Sequence, residues 1–443
     1  MRKISFLLAL MIMIFAVSGC GCSNNTAETG AVIRFLNFKP EIAPVYERIA
    51  KDYEAETGVR LIVETAAANS YESTLTAKMA TNEAPTIFQV NGPRGYANWK
   101  DYCKNLEGSA ISDIITDEDL LLDTDEGVFG IPYVVEGYGI IYNESIMNKF
   151  FALPDRKTDI SSMDEVRSFD ALKEVCEEMS DRKADLGITG VFASTSLKPG
   201  EDWRWQTHLL NIPVHYEFDE NDIDLETDET ANFNFEYSEN YKNIFDLYIN
   251  NSTVDKKMLG AKIVGDSMAE FALGKCAMVQ NGNWAYSQIA EVSGNVVNQD
   301  DVKMLPIYMG IADENQGLCI GTENFLCINK NADENVQKEA EDFLYWLFSS
   351  DTGKRYVTEE LGFITPFNTF SEDETPDDPL AREVVKWMNK EGVHTVSWDF
   401  TIFPSQVFKN NFGSDLLGYA QGSKSWETVK EETVKDWKSE SGK

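Results

Sequence analysis

The sequence predicts an α/β protein built in more than one lobe, and three observations predict it. After a distinctive N-terminal stretch of 20 residues, roughly 420 residues remain, more than one ordinary hydrophobic core accommodates. Residues 32–90 alternate short apolar runs with segments of helical periodicity, in the order β-α-β-α-β, the opening of a parallel sheet covered by helices. From residue 130 a second set of strand-like and helix-like segments begins.

The elements follow in order. "VIRFLNF", residues 32–38, reads as a buried strand. Pro40 opens a helix that places Ile42, Val45, Tyr46, Ile49, Ala50 and Tyr53 at helical spacing, and Gly58 closes it. "VRLIV" is a second strand, residues 71–81 a second helix, and "TIFQV" a third strand. "GIPYVVEGYGIIYN", residues 130–143, is strand-like but broken by Gly137 and Gly139, which permit a bend or the close approach of a ligand. Helices are expected over 164–180, around 203–210, over 237–250 and over 266–273. "GITGVFAST" and "CAMVQN" read as strands, and a further helix starts at Trp284. "FLCIN", residues 325–329, is another strand. The helix 334–348 carries Ala340, Phe343, Leu344 and Leu347 on one face, and the last 90 residues read as helices with long loops.

The N-terminus specifies a compartment. Arg2 and Lys3 precede a fourteen-residue apolar run, Ile4–Val17, shorter than the roughly 20 residues that span a bilayer. A basic start, a short apolar core and small residues at the end make a secretory signal. The run ends in Val17-Ser18-Gly19-Cys20, which resembles the lipobox of bacterial lipoproteins. That resemblance implies a signal peptide over 1–19, lipidation of Cys20, and a flexible tether over 20–30 that holds the rest at the extracytoplasmic face of the cell membrane.

Composition excludes other classes. With 39 basic and 74 acidic residues the net charge is −35, which argues against nucleic acid, whose phosphates require basic patches. It argues equally against direct adsorption to an anionic bilayer, so the lipid does the anchoring. Three His and the absence of C-x-x-C leave no zinc pattern. Cys276, Cys319 and Cys327 lie in apolar stretches, as small core residues do. The acidic run 218–230 lacks the glycine an EF-hand loop requires. "GAKIVGDS" has Walker A glycine spacing but Asp266 where the phosphate-binding Lys belongs. No G-x-S-x-G or H-E-x-x-H occurs. No cofactor or metal is expected.

Six turn-like stretches bring aromatic and polar groups together: "NFKPE" at 37–41, "QVNGPRGYANW" at 89–99, "VVEGYG" at 134–139, "EDWRWQ" at 201–206, "QNGNWAY" at 280–286 and "SWDF" at 397–400. A sugar ring offers apolar C–H faces and a rim of hydroxyls. Aromatic planes with Asn, Glu, Lys and Arg hydrogen bonds in a cleft suit it. The candidate binding residues in these stretches are Lys39, Glu41, Asn91, Glu136, Tyr138, Trp203, Arg204, Asn283, Trp284 and Trp398.

The chain after the tether resembles the extracellular solute-binding proteins of sugar-specific ABC importers, the group that includes maltose-binding protein. "FALGKCAMVQNGNWAY" is similar to the family's F-x-x-G-K-x-A-M-x-x-N-G-x-W block, whose Trp stacks on a sugar; Trp284 is that Trp. "IPYVVEGYGIIYNESIM" resembles the passage between lobes, with Glu136 where maltose-binding proteins carry a ligand-binding Glu. "VNGPRGYANW" resembles the loop that bears an Asp-Arg pair on sugar hydroxyls, but Asn91-Gly92 stands there, a departure from a maltose site.

The resemblance implies a two-lobed periplasmic-binding-protein-like fold, with an interlobe ligand cleft and three hinge crossovers, placed near 138, 305 and 350. Lobe 1 is then 31–138 and 306–350, and lobe 2 is 139–305 and 351–443. It implies a monomeric, non-enzymatic receptor that captures an oligosaccharide and delivers it to ABC permease subunits. The alternatives are an importer receptor for a peptide or polyamine, and a lipoprotein glycosidase or lyase using Glu136 and a second carboxylate.

Overall fold

A computed structural model describes residues 30–441, except 68–69, 117–119, 226, 372 and 375. The signal peptide and Cys20 lie outside the described residues, as does the tether up to residue 29. The strands are β1 (Val32–Asn37), β2 (Arg60–Thr65), β3 (Ile87–Val90), β4 (Leu122–Thr124), β5 (Gly127–Gly130), β6 (Glu136–Asn143), β7 (Met278–Gly282), β8 (Val302–Leu305), β9 (Gln316–Gly321), β10 (Phe325–Ile328) and β11 (His394–Val396).

The first sheet has the order β10-β3-β1-β2. β1 pairs in parallel with β2, from Val32 opposite Arg60 to Asn37 opposite Thr65, and in parallel with β3. This is the predicted β-α-β-α-β unit; β10 closes its edge antiparallel to β3. The connecting helix Ala43–Thr57 turns Tyr46, Ile49 and Tyr53 onto the sheet, the one-face spacing read from the sequence. It ends where Gly58 takes φ +76°, the left-handed conformation that glycine adopts without strain.

The second sheet is built around β6, all eight residues of which are buried. β7 runs antiparallel along one edge. Along the other edge β9 pairs with the start of β6, Glu136 to Tyr138, and β8 with its end, Ile140 to Asn143. β11 extends this sheet parallel to β9. Gly139 permits the crowding, because a Cβ there would lie 2.4 Å from the Leu305 carbonyl oxygen.

The chain passes from the first sheet to the second between Ile131, which exchanges hydrogen bonds with Leu326, and Glu136. It returns between Gly321 of β9 and Phe325 of β10. β9 carries a weak sequence signal, because "QGLCIG" is short and holds two glycines, weak strand formers. The last passage falls after Phe367, which shares a core with Phe348 and Tyr356, and before Leu380, which packs with Val384 under the second sheet.

Two further expectations change. "GITGVFAST" forms no strand; Phe192 alone bridges Ser252 and Met278. The helix expected around 203–210 is a wide π turn, Arg204–Leu209, continuing as an α-helix over Leu210–Glu220. Pro213 has no N–H to give the Leu209 carbonyl four residues back, which relaxes the α-helical ladder where the π turn ends.

Candidate functional site

The predicted residues converge at the ends of strands from both sheets, where open α/β folds place ligands. β1 ends in Asn37, whose side chain grips the backbone two residues on: Nδ2 donates to the Lys39 carbonyl at 2.7 Å, and Oδ1 accepts from the Lys39 N–H at 3.1 Å. Gln89, on the adjacent β3, accepts from the Phe38 N–H at 2.7 Å. So fixed, Lys39 reaches Glu136 at the start of β6 and donates to Oε1 at 2.7 Å and Oε2 at 2.9 Å. Both residues are buried. Their ion pair joins the ends of the two sheets.

Other carboxylates surround this pair. Glu41 lies 3.9 Å from Lys39 Nζ. Glu323, between β9 and β10, accepts from Asn91 Nδ2 at 3.0 Å. Burial alone would lower the Lys39 ammonium, but Glu136, Glu41 and Glu323 outweigh it and hold Lys39 above the ordinary lysine value. Burial raises Glu41 and Glu323, and Lys39 opposes the rise at each. Burial also lowers Lys409, a half-buried lysine attracted by Glu323. Asn324 holds φ +59°, an uncommon conformation for a non-glycine residue that Asn tolerates best. Among the described residues, Asn91 Oδ1, Thr322 Oγ1, Asn324 Nδ2 and Trp398 Nε1 are buried here without a hydrogen-bond partner in the protein, an arrangement that calls for a ligand or water.

The second sheet contributes an aromatic wall centred on His208, in the π turn. His208 stacks on Tyr138 at 4.4 Å with an interplanar angle of 10°. The edges of Trp203 and Trp284 meet it at 4.9 and 5.4 Å. Trp284 meets Trp398 edge-on at 6.3 Å. Burial, reinforced by Arg204, Lys409 and Lys39, keeps His208 well below the ordinary histidine value and therefore neutral. Two glycines make room for the wall. A Cβ on Gly282 would lie 2.2 Å from the Trp284 ring, and one on Gly321 would lie 2.6 Å from Trp398 Cγ. Trp203 and Trp284 remain half-buried, whereas Tyr138, His208 and Trp398 are buried. Lys39 Nζ sits 5.8 Å from the Trp284 ring centre, so charge cluster and aromatic wall meet.

The predicted residues thus divide by role. Lys39, Glu41, Glu136 and Asn91 form the polar side, and Trp203, Trp284 and Trp398 the aromatic side. Tyr138 is fully buried and donates its hydroxyl to the His208 carbonyl at 3.0 Å, so it backs the wall. Asn283 is buried and accepts from the Gly137 N–H at 3.0 Å, bracing β6. Arg204 lies behind Trp203, its guanidinium 3.9 Å from the ring centre. Sequence reasoning missed His208, Glu323 and Asn324. His208 stands two residues beyond the quoted "EDWRWQ", and "GTEN" between two apolar stretches carried a turn signal.

Among the described residues no group of His, Cys, Asp and Glu is arranged to hold a metal ion, and no helix is long and apolar enough to cross a membrane.

The family model for bacterial extracellular solute-binding proteins matches residues 48–384. Among curated proteins none matches in sequence. Solved structures match over nearly the full chain. A chitin oligosaccharide binding protein is 16% identical with a TM-score of 0.67, over 93% of this chain and 99% of its own. The solute-binding protein RafE in complex with raffinose is 16% identical with a TM-score of 0.66, over 92% and 98%. A sugar transporter from Bacillus licheniformis in complex with stachyose is 14% identical with a TM-score of 0.65, over 92% and 99%. At these identities the likeness establishes a shared two-lobed fold.

Proposed function

The chain belongs to the bacterial extracellular solute-binding proteins, and from that premise we propose that it captures an oligosaccharide between its two sheets and delivers it to the permease of an ABC importer. The observation that carries this reading is the meeting of two half-buried indoles, Trp203 and Trp284, with the Lys39–Glu136–Glu41 cluster, whose ammonium lies 5.8 Å from the Trp284 ring centre. Indole faces complement sugar C–H surfaces, and the carboxylates and amides complement hydroxyls. The similar proteins take chitin oligosaccharide, raffinose and stachyose, which supports the same ligand class here. Glu136 is bound through both oxygens to Lys39, an arrangement for orienting a ligand rather than for nucleophilic attack. The chain acts as a receptor and not as a glycosidase.

Calorimetric titration of the mature chain against a panel of oligosaccharides tests the reading. Saturable binding with no release of reducing sugar is expected. Binding of a peptide or polyamine in place of every sugar would overturn it.

Cys20 anchors the chain to the outer face of the membrane through lipid, by virtue of its lipobox-like context. Cys20→Ala should abolish fatty-acid labelling and release the protein from the membrane fraction. Retention of both would exclude this thiol as the anchor.

A further inference from the structure

The segment 397–400 carries Trp398 into the aromatic wall, but no hydrogen bond of its own fixes the indole. Trp398 is buried, and its Nε1 has no hydrogen-bond partner in the protein. Its ring centre lies 5.1 Å from that of Phe400 and 6.3 Å from those of His208 and Trp284, distances of ring packing. Packing and the backbone therefore decide where the indole points.

That backbone is held from a distant part of the chain. Asn211 is fully buried. Its Nδ2 donates to the Ser397 carbonyl at 2.8 Å, and its Oδ1 accepts from the Phe400 N–H at 2.8 Å. One amide thus pins the chain on both sides of Trp398. Four residues on, His215 Nδ1 lies 2.8 Å from Asp399 Oδ2. Asn211 and His215 share a face of the helix Leu210–Glu220. The π turn that leads into this helix supplies His208, whose ring centre lies 5.2 Å from that of Phe400. One stretch of chain, 208–215, therefore sets His208 in the wall and clasps the segment that carries Trp398.

We propose that Asn211 is a positioning residue for the sugar site: by bridging Ser397 and Phe400 it fixes the Trp398 indole, with the His215–Asp399 contact as a second clasp. Its effect on affinity rests on the oligosaccharide reading of the aromatic wall; its effect on the indole does not. Asparagine suits the task because it carries a donor and an acceptor on one short side chain. Without it the Ser397 carbonyl and the Phe400 N–H lose these partners, and the segment is free to shift toward others. A wall in place before the sugar arrives spares binding the cost of ordering the indole. Asn211 thereby contributes to affinity from a fully buried position.

The test combines fluorine NMR with a double-mutant cycle on the mature chain. Fluorotryptophan is incorporated, and Trp398→Phe assigns the Trp398 line. Without sugar, Asn211→Leu should displace or broaden that line and leave the line of Trp426, which stacks on Tyr241 in the core of the same half. An unmoved Trp398 line would overturn the proposal, and so would an equal disturbance of both lines, which marks a merely structural role. With the best-binding oligosaccharide of the panel, Asn211→Leu should weaken affinity about threefold or more in the unaltered background and less than about twofold in Trp398→Ala. Losses that multiply in full would overturn it, because Asn211 would then not act through Trp398. If the unaltered chain binds no sugar, the proposed function fails, and the fluorine lines still decide whether Asn211 sets the indole. If Asn211→Leu does not fold, His215→Leu should displace the Trp398 line and His215→Gln, which keeps a donor for Asp399, should restore it; no difference between these two would overturn the clasp.

Discussion

Lys39 and Glu136 form a buried ion pair at 2.7 Å, and its loss has an energetic consequence. Each is buried, and each is the other's principal partner. Removing one leaves a desolvated charge, which costs about 3–5 kcal/mol, whereas replacing both with apolar residues of similar size is often near neutral. Glu136→Ala is therefore expected to lower stability by about that amount as well as weakening ligand affinity, and Lys39→Met with Glu136→Leu to recover most of the stability but none of the affinity. Denaturant titration of the two single variants and the double variant checks this. Additive losses would mean that the pair is not coupled.

Asp202, beside Trp203, gives a pH-dependent prediction among single residues. Burial pushes its carboxyl up from 3.8 to about 6, partly countered by backbone hydrogen bonds. A carboxyl whose folded value is raised favours folding below its unfolded value, and that contribution is lost as pH rises through the folded one. Stability is expected to fall between pH about 4 and about 6 on this account, and Asp202→Asn to flatten part of the fall. Asp378, raised to about 6 by burial, supplies a further part that Asp202→Asn leaves in place. Melting temperature measured across this range, in the unaltered protein and in Asp202→Asn, reads it. Identical profiles for the two would refute the assignment.

Among the elements, the turn after β7 decides the platform. Trp284 folds back over Gly282, and a Cβ at residue 282 would overlap its ring at 2.2 Å. Trp284→Ala is expected to lower sugar affinity about tenfold or more, with little change in melting, because the indole is half-buried and adds on the order of 1 kcal/mol beyond area burial. A core tryptophan would instead cost about 3–5 kcal/mol of stability. Gly282→Val should mimic the affinity loss by displacing the same ring. Titration and melting in parallel separate the two readings: a large fall in melting with affinity preserved would make Trp284 a core residue. The π turn acts in the same way, since it sets Trp203 and His208 against Trp284.

Across the entire chain, the two halves touch beside the site. The helix Gly92–Trp99 of the first half meets the turn Asp399–Ile402 of the second. Gly92, at φ +58°, would place a Cβ 2.9 Å from Thr401 Cβ. Thr401→Phe leaves the Gly92 backbone untouched and inserts bulk at this contact. It is expected to weaken sugar binding and to enlarge the radius of gyration by scattering, with ligand-free melting nearly unchanged. Unaltered affinity and dimensions would mean that the contact has no part in closure.

Local features were written in the chain alone. Apolar runs and helical spacing specified β1, β2, β3 and β10 and the helices between them, because burial of one face writes its period into the chain. The aromatic-polar clustering around Lys39, Glu136 and Trp284 was legible because such residues gather at turns. Contacts between distant segments settled the rest. β9 became a strand because β6 needed an edge partner at Glu136–Tyr138, a demand that arises far away in the sequence. Tyr138 and Asn283 became supports because Tyr138 reached the His208 carbonyl and Asn283 the Gly137 N–H. His208 became the centre of the wall because a π turn rotated it inward. Local periodicity reports which face is buried, but not what buries it, since pairing between distant segments depends on geometry that no short window of sequence contains.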